Sequence, residues 1–369
     1  MRLNSLTITI AVLFFASTTS GASAPPQQVK KPLVIADQGS RAFAGTVVGD
    51  PSKASLHCDH GYVQWQIPET KDRKVPLLMW HSAATKTWET PTPAGREGFN
   101  NIFLRRGFPV YIIDAPRNGR AAKACEPYTY TPSTGNDQQF FNSARLGIWI
   151  PPAPPQFYPN VQFPKDDPAA LNQFRRADYF EFQTPENVQL QSDAVAELLK
   201  EIGPAVLLTH SGSGVRGWWT AIKSSNVKSV VAYEPGHFVF PQGEVPPAIP
   251  RADGVSVEAP NPPLGSVVPL SDFMKLTKIP IQIVIGDNIP SKLDPVNVGL
   301  RLPLDNNRIR IIRAKLFAEA INRHGGNAEV LILPEHGIYG NTHFIMWDLN
   351  NEKIAQLLVE FLSRKGIQK

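Results

Sequence analysis

Leu207-Leu208-Thr209-His210-Ser211-Gly212-Ser213-Gly214 is the stretch whose reading decides the fold. A short apolar run, Ala205 to Leu208, ends in small and polar residues, and a helical pattern from Val215 to Ile222 follows at once. A strand that turns sharply into a helix with serine at the corner is a nucleophile elbow. The turn is strained, so its flanks must be small. It lifts the serine hydroxyl above the sheet and aims the next N–H at the reacting carbonyl. Ser211 is therefore the expected nucleophile and Gly212 one expected oxyanion donor. Thr209 and Ser213 stand where two glycines are usual. A frame with Ser213 as nucleophile would put β-branched Val215 at the crowded position and is the poorer fit. An ordinary Ser/Gly-rich loop is the plain structural alternative.

Outward from the elbow, strand-like and helix-like segments alternate, the pattern of an α/β sheet. Strands are expected at Val75–Trp80, Pro109–Ile113, Ala205–Leu208, Val227–Tyr233, Ile279–Ile285 and Ala328–Leu333. Apolar residues at helical spacing mark Glu97–Arg106, Val188–Ile202, Ile309–Arg323 (stopped by Gly325-Gly326) and Asn351–Arg364. Leu33–Val48 and Tyr62–Ile67 read as two further strands before them. The expected class is α/β, specifically an α/β-hydrolase fold: a mostly parallel central sheet flanked by helices. Two proline-rich stretches, about 117–186 and 235–276, interrupt the alternation. The first carries Phe140, Phe141, Trp149, Phe157, Tyr158, Phe163, Phe174 and Phe180. That aromatic content argues against disorder, so the two insertions are expected to form a cap over the sheet edge. An aromatic cap would suit an apolar acyl or alcohol group.

A serine hydroxyl needs a base to take its proton. His343, in Gly340-Asn341-Thr342-His343, lies between the last strand and the last helix, where this fold delivers its base in the order serine, acid, histidine. His336 is the alternative base. His81 and His210 neighbour the site and read as scaffolding. The base in turn needs a carboxylate to hold its tautomer. Glu234 ends the strand directly after the elbow helix, and Asp287 ends the following strand, the commoner location; residue physics leaves the two open. The second oxyanion donor is expected in the loop His81-Ser82-Ala83-Ala84, at Ala83. His57-Cys58-Asp59-His60 lacks a distant fourth ligand and reads as a turn rather than a metal site.

The chain of 369 residues has 37 basic and 32 acidic side chains, scattered without runs, so no nucleic-acid groove is indicated. Residues 1–24 have a positive start, an apolar core from Leu6 to Ala16 and an Ala22-Ser23-Ala24 cleavage site. They are expected to be a secretory signal peptide, followed by a single domain over 25–369 that is secreted or periplasmic. No other stretch is apolar enough to insert in a membrane. The two cysteines, Cys58 and Cys125, are expected to pair in an oxidising compartment. The oligomeric state stays open, a homodimer included.

Six stretches, the elbow among them, resemble the esterase 713-type family of bacterial exported α/β hydrolases. They are His81 through Glu89, Gly95-Arg96-Glu97-Gly98-Phe99, Arg105 through Tyr111, Thr209-His210-Ser211, Tyr233-Glu234-Pro235-Gly236 and Gly340-Asn341-Thr342-His343. The resemblance spans most of residues 25–369 and implies a glutamate on the strand after the elbow as the triad acid, which favours Glu234 over Asp287. Family members carry adjacent cysteines where this chain has Ala83-Ala84, so the rigidity of that loop does not carry over. The expected activity is hydrolysis of a small carboxylic ester or lactone through an acyl-enzyme, without metal or organic cofactor. A catalytically silent protein of this fold that binds a ligand or partner is the alternative. Dehalogenase and epoxide hydrolase chemistry would need aspartate at position 211.

Overall fold

Strands whose residues are apolar on both faces belong inside a parallel sheet covered by helices. The computed structural model describes residues 31–70, 74–81, 85–89, 96–129, 131–132, 134–177, 184–251, 267–289 and 298–367. Within them an eight-stranded sheet runs β1 (Ile35–Phe43), β2 (Gly61–Pro68), β3 (Leu77–His81), β4 (Val110–Asp114), β5 (Ala205–His210), β6 (Val227–Tyr233), β7 (Pro280–Ile285) and β8 (Asn327–Ile332), in the spatial order β1-β2-β4-β3-β5-β6-β7-β8. The pairs β1–β2 and β2–β4 are antiparallel and the rest parallel. This is the α/β-hydrolase topology.

Side-chain alternation along each strand divides the core into two layers. Leu77 and Met79 of β3 and Val206 and Leu208 of β5 face α1 (Phe99–Arg105) and, at the chain end, Ile354, Leu358 and Phe361. Leu78, Trp80, Leu207, Val230 and Ile283 face the opposite layer, which includes Val195, Leu198, Trp218, Phe273 and Phe317. Among the described residues the α-helices after α1 are α2 (Asn136–Ser143), α3 (Pro168–Ala177), α4 (Pro185–Ile202), α5 (Ser213–Lys223), α6 (Leu270–Leu276), α7 (Val298–Arg323) and α8 (Asn351–Arg364). Local signals set their ends. At α4, for example, the Thr184 hydroxyl accepts from the Asn187 amide and Pro185 occupies the first turn.

Two expectations change in detail, the N-terminal strand and the place of the first insertion. Leu33–Val48 is not one strand: Ala44 and Gly45 adopt positive φ, and the chain folds back as a hairpin, Thr46–Asp50 on Ala54–Cys58. Cys58 at its end forms a disulfide with Cys125, S–S 2.06 Å, and the neighbouring Asp59 holds Arg117 in a two-pronged pair at 2.7 and 2.8 Å. Among the described residues no group of three His, Cys, Asp or Glu side chains could hold a metal ion. The aromatics of the first insertion do more than lie over the sheet edge. Phe141, Phe163 and Phe174 are at most 1% exposed, and Phe174 stacks edge-on against Phe344 and Trp347 at 5.4 and 5.6 Å. The insertion is thus wedged into the core beside the chain that follows His343. Of the second insertion, Phe238 to Phe240 and Val268 are buried. Residues 1–24, Ala83, Phe180 and 252–266 lie outside the described residues. No described helix is long and apolar enough to cross a membrane.

Candidate active site

Ser211 sits at the corner between β5 and α5 with φ at +54°, the left-handed region. Such strain in a non-glycine residue persists only where the surroundings hold it. Here the Ser211 N–H donates to the Tyr233 carbonyl at 3.0 Å, and its own carbonyl accepts from Gly214 and Gly236 at 3.1 and 3.0 Å. The flank bulk at Thr209 is accommodated one turn into the helix. A Cβ on Gly217 would stand 2.6 Å from the Thr209 methyl, so the small residue is required there instead. Ser213 is fully buried. Its hydroxyl accepts from the His210 amide at 2.9 Å and lies 2.7 Å from the Trp80 carbonyl, so it ties the elbow to β3.

His343 Nε2 lies 2.9 Å from Ser211 Oγ, and His343 Nδ1 lies 3.3 Å from Glu234 Oε2. Glu234 follows β6 with φ at +51°, which swings its side chain out of the strand register. Its other oxygen accepts from the Gly286 amide at 2.6 Å and from the buried guanidinium of Arg145 at 2.5 Å. Burial pushes this carboxyl up, but the Arg145 charge and the His343 contact more than offset that and hold it down to about 2.

Asp287 is engaged elsewhere. Its carboxylate accepts from the Gly340 amide at 2.6 Å, from Asn160 Nδ2 at 3.1 Å and from the Asn288 amide at 2.6 Å. The structure therefore brings Glu234, and not Asp287, to the imidazole, while Asp287 anchors the loop that carries it. His336 is exposed in the turn Leu333–His336, in a cleft with Glu329 and Leu357, and not at Ser211.

The loop bearing His343 is fixed from three sides. Its own N–H donates to Ala144 O at 2.9 Å. Gly340 turns at φ +80°, where a Cβ would fall 1.7 Å from Asn160 O, so only glycine fits against the first insertion. Asp348 accepts from the Thr342 amide, the Thr342 hydroxyl and Asn341 Nδ2 at 2.8, 3.0 and 2.9 Å. Burial pushes the Asp348 carboxyl up to about 7, against those three donors. Arg96 caps the same turn through the carbonyls of Trp347 and Asp348. Motif and periodicity do not single out Arg145, Asp348 or Asn160. For Arg145 the one local signal is a lone charge inside the apolar stretch Ala144-Arg145-Leu146-Gly147-Ile148.

Three histidine rings adjoin at the site: His81 stacks on His210 at 4.5 Å, and His210 meets His343 at 4.7 Å with the rings tilted by 47°. His210 Nε2 donates to the His343 carbonyl at 2.7 Å. Burial, then the neighbouring imidazoles, push His81 and His210 well below their ordinary value. Burial lowers His343 too, against the raising effect of Glu234. Groups with depressed folded pKa supply stability above the unfolded value and lose it as pH falls. Each neutral histidine then costs up to about 1.4 kcal/mol per pH unit below about 6.5. Asp348, with a raised value, acts the opposite way between its unfolded value of 3.8 and about 7. Three groups outweigh one, so the melting temperature is expected to fall between pH 7.5 and pH 5. It should fall further between pH 4.5 and about 2, where the glutamate of the unfolded chain takes up a proton and Glu234 in the folded protein does not. Calorimetry showing equal or greater stability at pH 5 would mean that these histidines carry charge in the folded protein.

No family model matches the chain. A solved structure described as a novel bacterial esterase superposes with a TM-score of 0.69 at 25% identity, covering 92% of this chain and 99% of that one. A fungal protein named "Probable secreted lipase phiG" is 26% identical over 332 residues, covering 82% of this chain and 86% of that protein. Together with the strand order, these likenesses relate the chain to esterases and lipases of the α/β-hydrolase fold and support a hydrolytic function.

Proposed function

We propose that this chain is a serine hydrolase that cleaves a carboxylic ester or lactone through an acyl-enzyme on Ser211, as an exported relative of the esterase 713 type. The observation that carries the proposal is the continuous relay from the strained Ser211 through His343 to Glu234, with separations of 2.9 and 3.3 Å. Ser211 Oγ attacks the ester carbonyl as its proton passes to His343 Nε2, and Glu234 stabilises the imidazolium that results. The imidazolium then protonates the leaving alkoxide, and the carbonyl reforms as the acyl-enzyme. Water, losing its proton to the same nitrogen, attacks the acyl carbonyl, and the returned proton frees Ser211 with the acid as product. The Gly212 amide, at the N-terminus of α5, and the Ala83 amide are assigned to the oxyanion. This sequence of steps calls for no metal and no organic cofactor.

Residues 1–24 are assigned as a cleaved export signal, which would deliver the chain to a compartment where the Cys58–Cys125 disulfide persists. A fluorophosphonate probe tests the chemistry. Peptide mapping of the labelled protein is expected to find the phosphonyl group on Ser211, with turnover of short-chain phenyl esters in the unlabelled sample. A folded protein that takes no label and turns over no ester would instead be a binding protein on a hydrolase scaffold.

A further inference from the structure

The turn that ends α2 grips both partners of Ser211 at once. Ala144 supplies the carbonyl that holds the His343 amide at 2.9 Å, and Arg145, the next residue, reaches Glu234. Arg145 is completely buried and its φ is +62°. That left-handed position after a helix is one that glycine usually fills, and an arginine there is disfavoured on backbone grounds alone. A buried guanidinium is also costly to desolvate unless its charge is used. Both penalties are met at one residue, and its side chain serves two acceptors: Nη2 donates to Glu234 Oε1, and Nε donates to the Asp287 carbonyl at 2.7 Å. The fork thereby fixes the rotation of the Glu234 carboxylate, leaving Oε2 for His343.

On the triad reading above, we infer that Arg145 is a positioning residue: it aims Glu234 at His343 and sets the acid limit below which the enzyme stops working. The charged and titratable neighbours agree on the direction. Around His343 stand Glu234, His210, His81, Arg145 and, from α7, Arg310; burial and both arginines lower its basicity while Glu234 raises it. Arg145 also acts on Asp348 and Tyr158, which the mechanism does not use. Removing the Arg145 charge lets the imidazole gain a proton more readily and lets the buried Glu234 gain one too. Either event silences the base, so both move the acid limb of activity upward.

The test compares Arg145→Met and Arg145→Lys with the wild-type full chain, measuring phenyl ester hydrolysis against pH and dividing each rate by the sites that a fluorophosphonate titrates. Arg145→Met is expected to lose about 100-fold in kcat per titrated site, with the acid limb raised by at least about half a pH unit. Arg145→Lys keeps the charge but cannot span Glu234 and the Asp287 carbonyl. It should hold the acid limb near the wild-type position and lose about tenfold in kcat with KM unchanged. A merely structural arginine would lower the number of titratable sites and leave rate per site and acid limb alone, and that result would overturn the inference. If Arg145→Met does not fold, a wild-type kcat in Arg145→Lys overturns it as well. A wild-type protein that takes no label at Ser211 would instead remove the hydrolase reading itself.

Discussion

Ser211→Ala is expected to lower kcat for ester hydrolysis by about 10⁴- to 10⁶-fold while KM changes little. The attacking atom is gone, yet the oxyanion donors and the substrate contacts stay, so a weak residual rate above water is expected as well. The backbone makes a second, independent prediction at the same residue. Ser211 is held at φ +54°, a conformation that costs a residue with a Cβ about 1–2 kcal/mol and glycine almost nothing. Ser211→Gly should therefore be more stable than Ser211→Ala by up to about 1 kcal/mol after the larger chain entropy of glycine is subtracted. Both variants should be equally inactive. Chemical denaturation of the pair reads this difference directly. If Ser211→Ala keeps turnover within tenfold of the wild type, the nucleophile lies elsewhere; if the glycine variant is the less stable one, the elbow is not strained in solution.

Glu234→Gln carries the second large effect, an expected fall in kcat of about 10³- to 10⁴-fold. The glutamine is the same shape but presents no charge to the imidazolium that forms during attack. Its amide can also turn a donor toward His343 Nδ1 and select the wrong tautomer. The substitution strands the buried Arg145 as well, and breaking a buried pair typically costs about 3–5 kcal/mol, so rates must be divided by titrated sites. Asp287→Asn is the matched control. Its carboxylate receives the Gly340 and Asn288 amides and Asn160, so the loss there should fall on loop anchoring and stability, with kcat within about tenfold of the wild type. The reverse pattern, an active Glu234→Gln beside an inactive Asp287→Asn, would transfer the acid role to Asp287.

Much of the sheet is legible in the order of amino acids, because parallel strands and their helices depend on local apolar patterning. Val227–Tyr233 and Asn351–Arg364 lie where periodicity alone puts them, and most other element ends move by one to three residues. The N-terminal run from Leu33 is harder. Its alternation continues past Ala44-Gly45, and only the left-handed backbone at those two residues redirects the chain into the hairpin that Cys58 then ties to Cys125. The start of α7 at Val298 is hidden for a related reason: its first turns, with Pro303 inside them, carry little amphipathic signal.

The sequence by itself puts a serine, two candidate carboxylates and a histidine at strand ends in a set order along the chain. A serine between a short apolar strand and a helix, and a histidine between the last strand and the last helix, are consequences of topology, and topology is written in local periodicity. Residue physics left Glu234 and Asp287 open because both end a strand at the same edge of the sheet. Beyond the family resemblance, which favours Glu234, the tertiary structure separates them by position: Glu234, at positive φ, stands 3.3 Å from His343 Nδ1, while the Gly340 and Asn288 amides occupy Asp287. It alone also reveals that Ala144, Arg145 and Asn160, inside an aromatic insertion that reads as a cap, hold His343, Glu234 and Asp287 respectively. Contacts across 89 or 127 positions of chain, as between Arg145 and Glu234 or Asn160 and Asp287, leave no periodic trace. They arise from the packing of whole elements, which local patterning does not encode.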